Sequence, residues 1–129
     1  MTEEFLHSAL TSKIIKCFYA VYNTLGYGFL EKVYENSLLI ELQLIGLEVE
    51  SQKQIDVFYA DEKVGVYFAD LVVEDTVIVE IKASEALREE NEYQLINYLK
   101  ASNVEVGLLL NFGKSPEFKR KIFTNDYKA

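Results

Sequence analysis

The chain has 129 residues, a formal net charge of −8, one cysteine and one histidine, and half of its residues are hydrophobic. That content is globular rather than disordered and enough for one domain with a real core, read as residues 1–129. Cys17 alone excludes an internal disulfide or an all-cysteine cluster, His7 alone excludes a multi-histidine centre, and no apolar run approaches the roughly 20 residues of a membrane span.

Several expectations follow. The acidic start Met1-Thr2-Glu3-Glu4 lacks the basic opening of a signal peptide, so a cytoplasmic protein is expected. The negative charge argues against broad electrostatic binding of nucleic acid. A bound metal must be held mainly by oxygen, which favours Mg²⁺ or Mn²⁺.

Leu6, Leu10, Ile14, Cys17, Val21 and Leu25 recur at helical spacing. They predict a first helix from about Glu3 to Leu25, with Thr2 as cap and Glu3 and Glu4 at its positive end. Cys17 on that stripe reads as a packed thiol. Gly26-Tyr27-Gly28 breaks the chain, and a second helix is predicted from about Phe29 to Ile45, ended by Gly46. Its apolar side is Leu30, Val33, Leu38, Leu42 and Ile45.

Leu47–Glu50 and Ile55–Tyr59 alternate like strands, with a turn candidate at Asp61-Glu62-Lys63. Val64–Val73 and Val77–Lys82 read as a hairpin, Ser84 as the cap of a third helix reaching about Ala101, and Val104–Phe112 as a strand buried on both faces. Ser115-Pro116-Glu117 resembles a helix start, which would make residues 119–121 its basic C-terminal end. The expected order is α-α-β-β-β-α-β-α, a mixed sheet flanked by helices, with a right-handed crossover making the strands at Val77 and Val104 parallel.

The hairpin carries the chemistry. Val77–Ile81 is apolar on both faces until Glu80, and Glu80 and Lys82, two residues apart, point to one face about 7 Å apart at roughly 3.3 Å per residue. Charges in such a strand need partners. A three-residue loop at Glu74–Thr76 would place Asp70 opposite Glu80, and a two-residue loop would shift that register. An Asp, a Glu and a Lys meeting at one end of a sheet suit divalent-metal binding and phosphodiester hydrolysis. The alternative is an ordinary ion-pair network at the point where the strand leaves the core. Lys114, Lys119, Arg120 and Lys121 form a basic cluster, either a solvated helix face or a strip that tracks phosphates.

Gly28, Glu31 and Tyr34, then Asp70, Glu80-Ile81-Lys82, and Gln94 with Tyr98 stand in an order that resembles the GxxExxY protein family, a branch of the PD-(D/E)XK nuclease superfamily. The resemblance covers roughly residues 10 to 124. It implies a restriction-endonuclease-like α/β core and metal-dependent hydrolysis of DNA or RNA, or else a non-catalytic nucleic-acid or protein interaction module on the same fold. It further implies Mg²⁺ or Mn²⁺ held by Asp70 and Glu80, Lys82 positioning or activating water, Glu31 adding or orienting a ligand, and Gln94 supporting the site. A homodimer that encloses a duplex would suit so small a domain. The chain departs from the family pattern where Tyr67-Phe68-Ala69 precedes the Asp and Asn91-Glu92-Tyr93 precedes the Gln, positions that often hold basic and histidine side chains.

Overall fold

A computed structural model describes residues 5–128. The elements run α1 (Ser8–Leu25), α2 (Glu31–Leu44), β1 (Val49–Tyr59), β2 (Glu62–Val73), β3 (Val77–Lys82), α3 (Glu89–Lys100), β4 (Val106–Phe112) and β5 (Pro116–Ile122). The strands form one sheet in the order β1-β2-β3-β4-β5. β3 and β4 run parallel, joined through α3, and the other neighbouring pairs are antiparallel. This is the expected α/β architecture, a mixed sheet flanked by helices.

Alternation along the central strands divides the core in two. Val77, Val79 and Ile81 of β3 face α1 and α2, packing with Phe18, Tyr34, Leu38 and Leu42. Ile78 of β3 and Leu109 of β4 face α3 and meet Leu95 and Leu99. Both central strands are covered on both sides, which explains their nearly unbroken apolar runs. Cys17 is buried in the first of these layers, and burial raises its thiol pKa above the ordinary value, so it packs rather than reacts.

Several boundaries differ from expectation. Thr2, Glu3 and Glu4 lie outside the described residues. Within those described, α1 starts at Ser8, because His7 takes a left-handed φ of 55° that a helix interior does not admit. α2 turns a different face inward: Tyr34, Glu35, Leu38 and Leu42 are buried while Leu30 is 81% exposed. Tyr34 sets that rotation, stacked on Phe112 with ring centroids 4.3 Å apart. Ser84 caps no helix. Its hydroxyl donates to the Ala86 carbonyl, and α3 begins after Arg88, whose N–H donates to Asn91 Oδ1 at 3.0 Å.

The two expected strands before Ala60 are one, β1, and the turn sits at Ala60 and Asp61, both at positive φ, so that Glu62 and Lys63 already belong to β2. The largest correction is at Pro116–Ile122, which is strand β5 and not a helix. It pairs along its whole length with β4, from Phe112↔Pro116 to Val106↔Ile122. Pro116 sits at the first residue of an edge strand, where its missing N–H matters least. Without β5, the apolar β4 would present an open edge.

Candidate functional site

The β2–β3 loop is Glu74–Thr76, with Glu74 and Asp75 at φ of 54° and 52°. Pairing runs Val73↔Val77, Val72↔Ile78, Leu71↔Val79, and the next step sets Asp70 opposite Glu80. There backbone pairing stops and the carboxylates replace it. The Asp70 N–H donates to Glu80 Oε2 at 2.7 Å, and the Ile81 N–H donates to Asp70 Oδ2 at 2.8 Å.

The other edge of β2 is interrupted at the same level. β1 pairs Ser51↔Leu71 and Lys53↔Ala69, and Gln52 between them holds a left-handed φ of 52°. A non-glycine residue there stores on the order of 1–3 kcal/mol and persists only where its surroundings hold it. What holds it is its amide: Gln52 Nε2 donates to both oxygens of Glu35 at 3.1 Å and to Asp70 Oδ1 at 3.3 Å. Glu35 also accepts from Lys32 at 2.8 Å and from Ser51 at 3.3 Å.

The structure thus gathers three carboxylates, Glu35, Asp70 and Glu80, at the rim of the sheet. Burial raises the Asp70 pKa, the Glu35 charge adds to it, and the hydrogen bonds from Ile81 and Gln52 and the Lys82 charge oppose it. Glu80, 5% exposed, is pushed up to about 8, first by burial and then by Asp70 beside it. Lys82 forms no direct ion pair with a described residue, yet its charge favours the ionised form of both carboxylates. The backbone beyond it is fixed by fully buried Asn111, which exchanges two hydrogen bonds with Ser84 at 3.0 and 2.9 Å.

Gln94 faces the same side of the sheet from α3 and donates to the Tyr98 hydroxyl at 3.0 Å. The Tyr98 phenol is pushed up to about 12 by burial, then by the charges of Glu80 and Asp70. Glu31 stands exposed in the first turn of α2, one helical turn before Glu35, and shares no hydrogen bond with the carboxylate pair. Glu35 is the residue that sequence reasoning passed over; a Glu four positions after Glu31 on the same helix face was its only signal. Gly28, at φ 112°, and Tyr34 have structural roles: the Tyr34 hydroxyl donates to the Gly26 carbonyl at 2.7 Å and accepts the Phe29 N–H at 3.2 Å, tying down the turn before α2.

The basic cluster lies on β5 and the turn before it, and part of it is engaged within the fold. Arg120 donates to the Leu6 carbonyl, Lys121 pairs with Glu92 at 2.6 Å, and Lys114 and Lys119 are exposed.

The donor set at Asp70 and Glu80 suits a hard cation. Glu80 Oε1 accepts no hydrogen bond from a described residue, and Asp70 Oδ1 accepts only the long one from Gln52. Among the described residues no three His, Cys, Asp or Glu side chains are gathered closely enough to hold a metal alone. Mg²⁺ asks for less, since it commonly takes one or two carboxylates and completes its shell with water and phosphate oxygen.

Comparison with known proteins bears on the fold and the family. No curated protein matches the chain significantly. The solved structure of SSO0001 is similar, with a TM-score of 0.55 and 18% identity over 95% of this chain. This chain spans 62% of the length of that one. A family model described as the PD-(D/E)XK nuclease superfamily matches residues 8–121, nearly all of the described fold. With the mixed sheet, the β3–α3–β4 crossover and Asp70 beside Glu80-Ile81-Lys82, that match makes this chain a member of the PD-(D/E)XK nuclease superfamily.

Proposed function

We propose that the chain is a metal-dependent nuclease that hydrolyses phosphodiester bonds in DNA or RNA, on the GxxExxY branch of its superfamily. The observation that carries this reading is the interruption of β2 pairing on both edges at Asp70, which turns a half-buried and a buried carboxylate, Asp70 and Glu80, toward one point with Lys82 beside them. The spacing of Gly28, Glu31 and Tyr34 supports the branch.

Asp70 and Glu80 would hold Mg²⁺ or Mn²⁺, and Glu35, tethered to Asp70 through Gln52, sets the orientation of that pair. A divalent ion bound there supplies Lewis-acid charge and a more acidic water. The Lys82 ammonium orients the attacking water and offsets negative charge gathering on the phosphate. Gln94 supports the site through Tyr98.

The test is cleavage of single- and double-stranded DNA and RNA in Mg²⁺ or Mn²⁺. Lys82→Ala should lose about 10²–10⁴-fold in rate. Its metal affinity should hold or improve, because a nearby positive charge is gone. Cleavage by the variant at the parent rate would remove Lys82 from the chemistry. One observation favours a second reading, an interaction module without turnover: Arg120 and Lys121 are engaged within the fold, so no continuous basic strip leads to the site. Metal binding with no cleavage of any of these polymers would select it.

A further inference from the structure

A cleft of about 910 Å³ opens between the β1–β2 ribbon and α3. It adjoins the carboxylate site through a shared pair, Gln94 and Tyr98, both of which line it. Its walls carry four aromatic rings, Phe58, Tyr67, Tyr93 and Tyr98. Three of these are left in water, Phe58 at 61%, Tyr93 at 59% and Tyr67 at 49% exposure. Tyr98 is the fixed one, buried, with its ring 5.5 Å from that of Tyr67. Side-chain amides at Asn91, Gln94 and Asn97, three residues apart along α3, line the same cleft.

We infer that this cleft receives an unpaired base, so that the substrate class is single-stranded or locally unpaired DNA or RNA, with the adjoining phosphate at Asp70 and Glu80. The inference rests on the nuclease reading above and adds to it how the strand is held. Exposed aromatic faces beside amide donors and acceptors are what an unstacked base recognises: stacking on the rings and hydrogen bonds to its edge.

Charge points the same way. Of the acids lining the cleft, Asp56 is paired with Lys63 at 3.3 Å and Glu90 with Arg88 at 3.6 Å, while Lys100 is the cation among its lining residues. A surface with so few free cations grips a phosphate backbone weakly, so stacking must supply much of the affinity. The volume falls within the roughly 300–1,000 Å³ of small-ligand clefts, room for a nucleotide or two and not for a duplex. Bases inside a duplex are stacked on one another and cannot enter.

The experiment measures binding of the full chain, in chelator so that nothing is cut. The probes are short labelled oligonucleotides: single-stranded DNA, single-stranded RNA, blunt duplex DNA, and the DNA strand with abasic sugars. One or both intact single strands should bind at least about tenfold more tightly than duplex and abasic probes, and the stronger arm identifies the polymer. Tyr93→Ala and Phe58→Ala should each weaken that binding about 5- to 150-fold, the equivalent of ~1–3 kcal/mol per stacked base, and Tyr93→Phe should retain it. Both positions are exposed, so the variants keep the fold. Equal binding of duplex or abasic probe, absence of binding in every arm, or two alanine variants that bind like the parent would overturn the inference. Cleavage of duplex without single-strand preference overturns it and leaves the nuclease reading standing. Tyr93-dependent binding of single strands with no cleavage in Mg²⁺ or Mn²⁺ supports the cleft and ends the nuclease reading.

Discussion

Glu80 accepts the backbone N–H of Asp70, and Asp70 accepts that of Ile81, contacts that hold the two carboxyl groups together without a neutralising ion pair. Glu80 therefore titrates from an ordinary value near 4.5 when unfolded to about 8 when folded. The folded state binds more protons across that interval, so stability is full below about pH 4.5 and is lost as pH rises toward 8. In chelator, denaturant melts across this window should show a loss on the order of 3–5 kcal/mol, and Glu80→Gln should flatten it. A parent with pH-independent stability there would contradict the burial of an unpaired carboxylate. Asp70→Asn relieves the same repulsion and should be neutral or stabilising in chelator. At a metal concentration of ten times the dissociation constant the parent should gain about 1.4 kcal/mol and the variant much less. A structural ion pair predicts the opposite, a loss of roughly 3–5 kcal/mol with or without metal.

At the scale of elements, two joints keep the site in place. The first is α3 on the sheet. A Cβ added to Gly107 of β4 would lie 2.6 Å from Leu95 Cδ1 and 3.0 Å from its Cγ, and Leu95 is fully buried with nowhere to move. Gly107→Ala should destabilise by about 1–3 kcal/mol in chemical denaturation, as an overpacked core does. A neutral result would mean that α3 docks more loosely than its packing indicates. The second joint is β5, whose Glu117 accepts the Leu87 N–H at 3.0 Å and so anchors the segment leading into α3. The hairpin was legible from two apolar runs on either side of a turn, though not its register, and the β3–α3–β4 crossover from its runs of Val, Ile and Leu. β5 was not, because Ser115-Pro116-Glu117 is a local helix signal, and strand pairing with β4 outweighs it.

For the whole molecule, a net charge of −8 would oppose the polyanionic substrate proposed above. Lys114 and Lys119 are exposed, whereas Lys121 and Arg120 already hold Glu92 and the Leu6 carbonyl. Binding to nucleic acid should therefore show a shallow salt dependence. Lys114→Ala with Lys119→Ala should flatten the slope of log K against log salt by about 1.4–1.8, at roughly 0.7–0.9 per phosphate. Arg120→Ala with Lys121→Ala should leave the slope nearly unchanged and lower the melting temperature instead. A slope that responds to the second pair and not the first would restore a basic strip along β5. No helix among the described residues is long and apolar enough to cross a membrane.

By itself the sequence determined what short-range physics decides: one sheet with helices on its faces, a tight turn near Glu74–Thr76, and the pointing of Glu80 and Lys82 to one side; the choice of the three-residue loop that sets Asp70 opposite Glu80 came from the structure. The first three depend on periodicity and turn geometry between near neighbours. Which turn of α2 meets the carboxylates is a different matter. Glu31 and Glu35 share a helix face, and the choice between them depends on how Tyr34 docks on Phe112 and on the side-chain amide of Gln52 reaching across from β1. The aromatic cleft likewise joins residues of β1, β2 and α3 that are far apart in the chain. Only the tertiary structure decides these features, because each depends on contacts between elements whose relative placement no local pattern encodes.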